Sequence, residues 1–219
     1  MRPRCWLALA LLVACSDPAA PSGLGIPPAG EGFVWANQSS GCAGNSPALS
    51  LPAARRDSLP PLIPYSFYTN DEWQRIAEHV PGGWAGMYYD GAHRLTLNFV
   101  DTTALSRALD SLAAYWRGQP LSFARNAVQI RVVRWDWIKL NDWYRYITLV
   151  AGLPAGVSFT DIQEGNNRLE FGAATAGDRD VLLPRLSELN APCWLVAVTI
   201  RGYAQPLSAR PRQPRNAVR

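Results

Sequence analysis

Gly156-Val157-Ser158-Phe159-Thr160-Asp161-Ile162-Gln163-Glu164-Gly165-Asn166-Asn167-Arg168-Leu169-Glu170-Phe171-Gly172-Ala173 is the stretch on which the fold turns. Apolar residues recur along Val157–Ile162 and Arg168–Ala173, and a polar turn at Glu164-Gly165-Asn166 separates them. That is the pattern of two short strands in a hairpin. On the N-terminal side, Trp143, Tyr146, Ile147 and Val150 form a helical stripe that follows Asn141-Asp142, the expected helix start. On the C-terminal side, Leu182, Leu186 and Leu189 mark another helix, with Asp178 or Asp180 as the expected cap. Pro184 is expected to fall in the first turn of that helix, where it is tolerable because backbone N–H groups there lack intrahelical partners. Asn190-Ala191-Pro192 stops the helix, and Trp194–Ile200 reads as a closing strand.

The same order occurs upstream. Thr69 and Glu72 have capping-box spacing, and Trp73, Ile76, Ala77 and Val80 make the stripe of the helix they open. Pro81-Gly82-Gly83 ends it. Strands Ala85–Tyr89 and Arg94–Val100 flank a tight Asp90-Gly91 turn. Asp101 or Thr102 is placed to cap a helix carrying Leu105, Ala108, Leu109, Leu112 and Trp116, which Gly118-Gln119-Pro120 breaks. Val128–Trp135 alternates as a half-buried strand does. Arg94-Leu95 and Arg168-Leu169 follow equivalent turns at an offset of 74 residues. The expected class is therefore α+β: two tandem α-β-β-α-β units, residues 65–136 and 137–204, each a small antiparallel or mixed sheet with helices on one face. A repeat of this size means two similar small domains or one pseudo-symmetric sheet.

The N-terminus reads as a targeting segment, residues 1–14. Arg2 and Arg4 precede an apolar run from Trp6 to Ala14, nine residues and far short of the roughly 20 that span a bilayer. The run closes as Leu12-Val13-Ala14-Cys15, which resembles the lipobox of bacterial lipoproteins. The resemblance implies cleavage before Cys15, lipidation of its thiol and attachment to a membrane; ordinary signal cleavage or an uncleaved anchor is the alternative. Of the four cysteines, cleavage removes Cys5 and lipid takes Cys15. Cys42 and Cys193 remain as an even pair, expected to form a disulfide in an oxidising compartment, with two free thiols as the alternative. Residues 15–64, rich in Pro, Gly, Ala and Ser, read as a tether, with Gly32-Phe33-Val34-Trp35 placed to dock on the body. Residues 205–219 carry Arg210, Arg212, Arg215 and Arg219 without an acid and read as a basic, disordered tail. The net charge of +4 is carried almost wholly by arginine, Lys139 being the sole lysine. Base composition accounts for that better than nucleic-acid binding does, and export makes a nucleic-acid partner improbable.

The second unit also resembles the pro-region modules of alpha-lytic-type serine proteases. The residues that carry the resemblance are Gly156–Glu164, Asn166-Asn167-Arg168-Leu169-Glu170-Phe171-Gly172, and Leu195–Ile200 after a helix. Gly86-Met87-Tyr88-Tyr89-Asp90 through Phe99 fits the pattern more loosely. The family's protease domain has no counterpart: there is no Gly-Asp-Ser-Gly segment, and neither His79 nor His93 has a Thr-Ala-x-His-Cys setting. What the resemblance implies is the pro-region's role, binding a protease fold to assist or inhibit it.

Candidate sites are few. Trp135, Trp137, Trp143, Tyr144 and Tyr146 fall within twelve residues at the junction of the units. Such side chains form binding hot spots or stack on sugar rings. Trp135 and Trp137 share a strand face, which makes them core if that face is covered and a platform if it is open. Asp90, Asp161 and Glu164 sit at or near equivalent turns, where turn chemistry competes with acid–base work. His79, late in its helix, suits the helix dipole better than catalysis. No catalytic residue, metal site or cofactor is nominated. The expected function is a binding module, not an enzyme, with a membrane reached through the lipid and a protease, peptide or cell-wall glycan as partner; a hydrolase of unrecognised type is the remaining alternative.

Overall fold

The computed structural model describes residues 33–36, 50–63, 70–115 and 127–202. Cys15, Cys42, the segment 1–14, Thr69, the Gly118-Gln119-Pro120 breaker and the tail 205–219 lie outside the described residues. In chain order the elements are β1 (Phe33–Trp35), α1 (Ala53–Arg56), α2 (Asn70–His79), β2 (Trp84–Tyr89), β3 (Leu95–Phe99), α3 (Leu105–Tyr115) and β4 (Gln129–Val132). There follow α4 (Trp137–Arg145), a π-helical turn (Tyr146–Ala151), β5 (Val157–Gln163), β6 (Arg168–Ala173), α5 (Ala176–Glu188) and β7 (Val196–Ile200).

The fold is α+β, and both units have the order α-β-β-α-β. β2 and β3 pair antiparallel, and β4 joins β3 in parallel after α3. β5 and β6 pair antiparallel, and β7 joins β6 in parallel after α5. A parallel neighbour cannot be reached by a tight turn, so each unit places a helix between its second and third strands. The likeness reaches single residues. A register shift interrupts each hairpin near its start, at Trp84/Met87 and at Val157/Phe159. His93 (φ 58°) and Asn167 (φ 51°), 74 residues apart, each occupy the left-handed region just before Arg-Leu.

The two sheets share one core. Trp84, Trp135, Trp137, Leu140, Phe99, Phe171 and Val198 belong to a single buried cluster, and α4 packs on α2, β2, β5 and β6. The Trp73 ring lies 5.4 Å from Trp84 and 4.7 Å from Trp137. Trp137 donates its indole N–H to the Asn70 carbonyl at 2.9 Å, so its polar edge is satisfied in the interior. The junction tryptophans are thus covered, while Tyr144 and Tyr146 are half-buried. Trp135, Trp137 and Trp143 are 1%, 1% and 2% exposed, which removes them as a binding platform. Their position at the join of two sheets, with α4 between, is what buries them.

Several boundaries differ from the sequence reading. α4 starts at Trp137 and is capped by Asp136, whose carboxylate accepts from Lys139 N at 2.8 Å. Asn141 and Asp142, expected at the start, are buried mid-helix. α5 is capped by Thr175, not Asp178 or Asp180: Asp178 N donates to Thr175 Oγ1 at 3.1 Å, and that hydroxyl donates back to Asp178 Oδ2 at 2.6 Å. Pro184 is the ninth residue of α5, well past the first turn. It leaves the Asp180 carbonyl without a helical partner, at an exposed position that water can serve. β4 ends at Val132, short of the expected Trp135.

The folded body also begins before residue 65. β1 pairs antiparallel with β7, Val34 opposite Val198, and Leu51 is 2% exposed. Phe33-Val34-Trp35 therefore docks as expected, Gly32 lying outside the described residues, while the tether reading of 15–64 fails for residues 33–36 and 50–63. Cys193 is disulfide-bonded.

Asn167 fastens the units together. Its Oδ1 accepts from Arg134 N at 3.1 Å and Trp135 N at 2.8 Å, and its Nδ2 donates to Trp135 O at 2.8 Å. Beside it, Asn98 Nδ2 donates to the Glu164 carbonyl at 2.8 Å, and Arg131 donates to the Gly165 carbonyl. Replacing Asn167 by Ala orphans a buried N–H and C=O and forces a Cβ residue without a compensating bond into left-handed backbone. The expected loss is about 3–4 kcal/mol in urea unfolding. Asn167→Gly removes the bonds but not the backbone freedom and should cost about 1 kcal/mol less. A loss below about 1 kcal/mol for the alanine variant would refute the fastening role.

Candidate binding site

α2 and α4 cross with polar side chains between them, an arrangement that burial makes expensive unless each is bonded. Asn141 Nδ2 donates to Gln74 Oε1 at 2.7 Å and to Asp71 Oδ1 at 3.2 Å. Gln74 Nε2 donates to Asp142 Oδ1 at 3.4 Å, and Arg56 Nε to Asp142 Oδ2 at 3.0 Å. Arg145 Nε lies 3.4 Å from Asp71 Oδ1. Two carboxylates thus face two guanidinium groups, and the cluster is neutral overall. Burial still pushes the Asp142 carboxyl above its ordinary value, against the opposing pull of Arg56.

This cluster holds the segment 50–63 on the helices. Arg145 donates to the Pro60 carbonyl, Ile63 N donates to Asp71 Oδ2 at 2.8 Å, and Arg55 lies over the rings of Trp143 and Tyr146 at 6.0 and 5.2 Å. Between the segment and the helices lies a pocket of about 580 Å³. Asp71, Asn141 and Arg145 form its polar side, and Pro60, Pro61, Ile63 and Leu149 its apolar walls, with Tyr144 and Thr148 completing it. Ile63 and Leu149 are 61% and 60% exposed and form an apolar rim. The π-helical turn follows α4 here and carries Thr148 and Leu149, a departure from α geometry that recurs at functional sites. Asn141 Oδ1 and Arg145 Nε, one helical turn apart, make no hydrogen bond.

The pocket adjoins an open strand. Tyr144 lines it and also shares a 2.9 Å hydrogen bond between its hydroxyl and that of Thr160 in β5. β5 is the last strand of its sheet, in the order β1-β7-β6-β5, and among the described residues no strand pairs with its outer edge.

Among the junction aromatics, then, only Tyr144 reaches the site; Tyr146 packs edge-on against Trp143 at 6.3 Å. Asp90 performs turn chemistry, accepting from Ala92 N and Arg94 N at 2.9 Å each, and these bonds hold its carboxyl below the usual range. His79 bonds the Arg75 carbonyl at 2.8 Å and lies 5.1 Å from the ring of Tyr115. Asp71, Asn141 and Arg145 were not nominated from sequence. The repeated dipeptides Asn70-Asp71 and Asn141-Asp142 are the signal that marks them.

Glu164 stands apart. A Cβ on Gly86 would meet both its Cγ, at 3.0 Å, and the Trp137 ring, at 2.9 Å, so the side chain lies against buried apolar surface. Burial, with a smaller push from Asp161, raises its carboxyl to about 7. No family model matches the chain, and neither curated proteins nor solved structures give a match.

A raised acid favours the protonated folded form. The contribution of Glu164 is therefore complete below about pH 4.5 and is lost as the pH rises to about 7. Glu164→Gln should match the parent near pH 4 and exceed its stability at pH 8 by about 2–3 kcal/mol in urea unfolding. Equal stabilities at pH 8 would show that the carboxylate is not strained.

Proposed function

We propose that the chain is a non-catalytic binding module of the bacterial envelope, carried on a lipid at Cys15. In this reading it takes an extended segment of a partner protein along β5 and receives one of that segment's side chains in the adjoining pocket. The observation that supports it most is the open seven-residue edge of β5 beside an apolar-rimmed pocket, with Tyr144 common to both. An added strand gains main-chain hydrogen bonds along such an edge, and a pocket supplies selectivity. The register shift and Asp161 blunt the edge against indiscriminate pairing. A protease is the partner class that the pro-region resemblance implies. The glycan reading depended on exposed tryptophans and loses its basis with their burial.

Two substitutions at positions that leave the core untouched test it. Cys15→Ser should move the protein from the membrane to the soluble fraction, and an unchanged fractionation would contradict the lipid anchor. With the Cys15→Ser protein as bait for envelope extracts, a protein partner should be retained and then lost from the Leu149→Asp form. Retention of polysaccharide and no protein, or retention indifferent to Leu149→Asp, would overturn the β5 and pocket assignment.

A further inference from the structure

The two units differ at one edge. In the second, the outer side of β7 carries β1, with Phe33, Val34 and Trp35 opposite Thr199, Val198 and Ala197. In the first, β4 is the corresponding third strand, and among the described residues its outer side carries no strand. The registers align the two edges. Leu97 pairs with Ile130, and Phe171, 74 residues on, pairs with Val198. Ile130 therefore stands where Val198 stands, with Gln129 in the place of Ala197 and Arg131 in that of Thr199.

β1 is held by more than main-chain pairing. The Arg168 guanidinium lies 4.1 Å from the centre of the Phe33 ring and 5.5 Å from that of Trp35, and it also binds Glu170 at 2.6 Å. The counterpart of Arg168 is Arg94, at the same offset of 74. Arg94 reaches over β4 in the same manner: with the Gln129 amide oxygen turned toward it, Nη1 and Nη2 lie 2.9 and 3.2 Å from that oxygen. It is anchored to Asp90 at 2.8 Å while its side chain stays 57% exposed, and among the described residues no aromatic ring packs on it as Phe33 does on Arg168. The strand it overlies is also uncovered, Val132 being 42% exposed. Arginine is attracted to an aromatic face by the ring quadrupole, the more so once water is excluded.

We infer that the outer edge of β4 is a second docking surface, which takes an extended antiparallel segment of a partner protein bearing aromatic side chains at alternate positions about an aliphatic one. The aliphatic residue lies opposite Ile130, the aromatics lie opposite Gln129 and Arg131, and Arg94 packs on their rings. The occupant of the equivalent edge, Phe33-Val34-Trp35, supplies this pattern. The surface is separate from β5 and its pocket, and the inference does not depend on them.

The probe is a synthetic peptide with the sequence of residues 31–37, Glu-Gly-Phe-Val-Trp-Ala-Asn, titrated into the disulfide-intact, lipid-free Cys15→Ser protein. Backbone amides are followed by NMR and hydrogen exchange. The expected result is slowed exchange confined to Gln129–Val132 and neighbouring β3. Affinity should fall about two- to fivefold in Arg94→Ala, as loss of a cation–ring contact predicts, and an unchanged affinity would overturn the role of Arg94. A peptide with both aromatics replaced by Ser should not bind. Protection at Val196–Ile200 would mean exchange with β1 and would overturn the inference. Protection at Val157–Gln163 would also overturn it while favouring the β5 reading. Dimerisation of the protein through β4 without peptide would place a second copy there in place of a partner.

Discussion

The Asn167 side chain, bonded to both the N–H and the C=O of Trp135, is the constraint on which the rest of the structure depends. It belongs to the turn of the second hairpin and acts on the strand exit of the first unit. Its left-handed backbone aims the amide at Trp135, and its neighbours Glu164 and Gly165 offer their carbonyls to Asn98 and Arg131 of the first sheet. Trp135 is thereby held where the chain leaves β4, and Asp136 can cap α4 at the next residue. α4 then enters between the sheets, and Trp137 closes against Trp73 and Trp84. A repeat that could have made two small domains makes one body.

Joining the units this way leaves the outer sides of β4 and β5 without a paired strand among the described residues. Each central strand, β3 and β6, is buried throughout, whereas β4 and most of β5 are not. The N-terminal segment closes one outer edge with β1 and, through Arg56, Pro60 and Ile63, covers part of the α2–α4 seam. The pocket exists because that cover is incomplete: Leu51 packs into the core, but around Pro60 and Ile63 the segment meets the helices through an ion-paired cluster. Unpaired strand edges and an apolar-rimmed pocket are features of a protein that meets another chain, which gives the binding reading its physical content.

Much of this architecture is legible in the sequence because backbone periodicity is a local property. The switch from 3.6- to 2-residue spacing marks each helix and hairpin, and the Arg-Leu pairs 74 residues apart mark the repeat. Caps are less legible, since a polar residue can serve its own backbone or a distant partner. Asn141-Asp142 looks like a helix start and serves Asp71, Gln74 and Arg56 instead. Pro184 sits deep in α5 because tertiary packing of Leu182 and Leu186 outweighs one lost backbone bond. The pairing of β1 with β7 joins residues more than 160 positions apart, and no local pattern encodes that. The binding pocket was invisible for the same reason, being formed by residues 60–63, 70–71 and 141–149 together.

The central claim is that two repeated units form a single cooperative body. Scanning calorimetry of the disulfide-intact, lipid-free protein tests it most directly. One transition is expected, with calorimetric and van't Hoff enthalpies equal, because the tryptophan core belongs to both units. Two resolved transitions, or a calorimetric enthalpy well above the van't Hoff value, would show that the units unfold separately and would contradict the account.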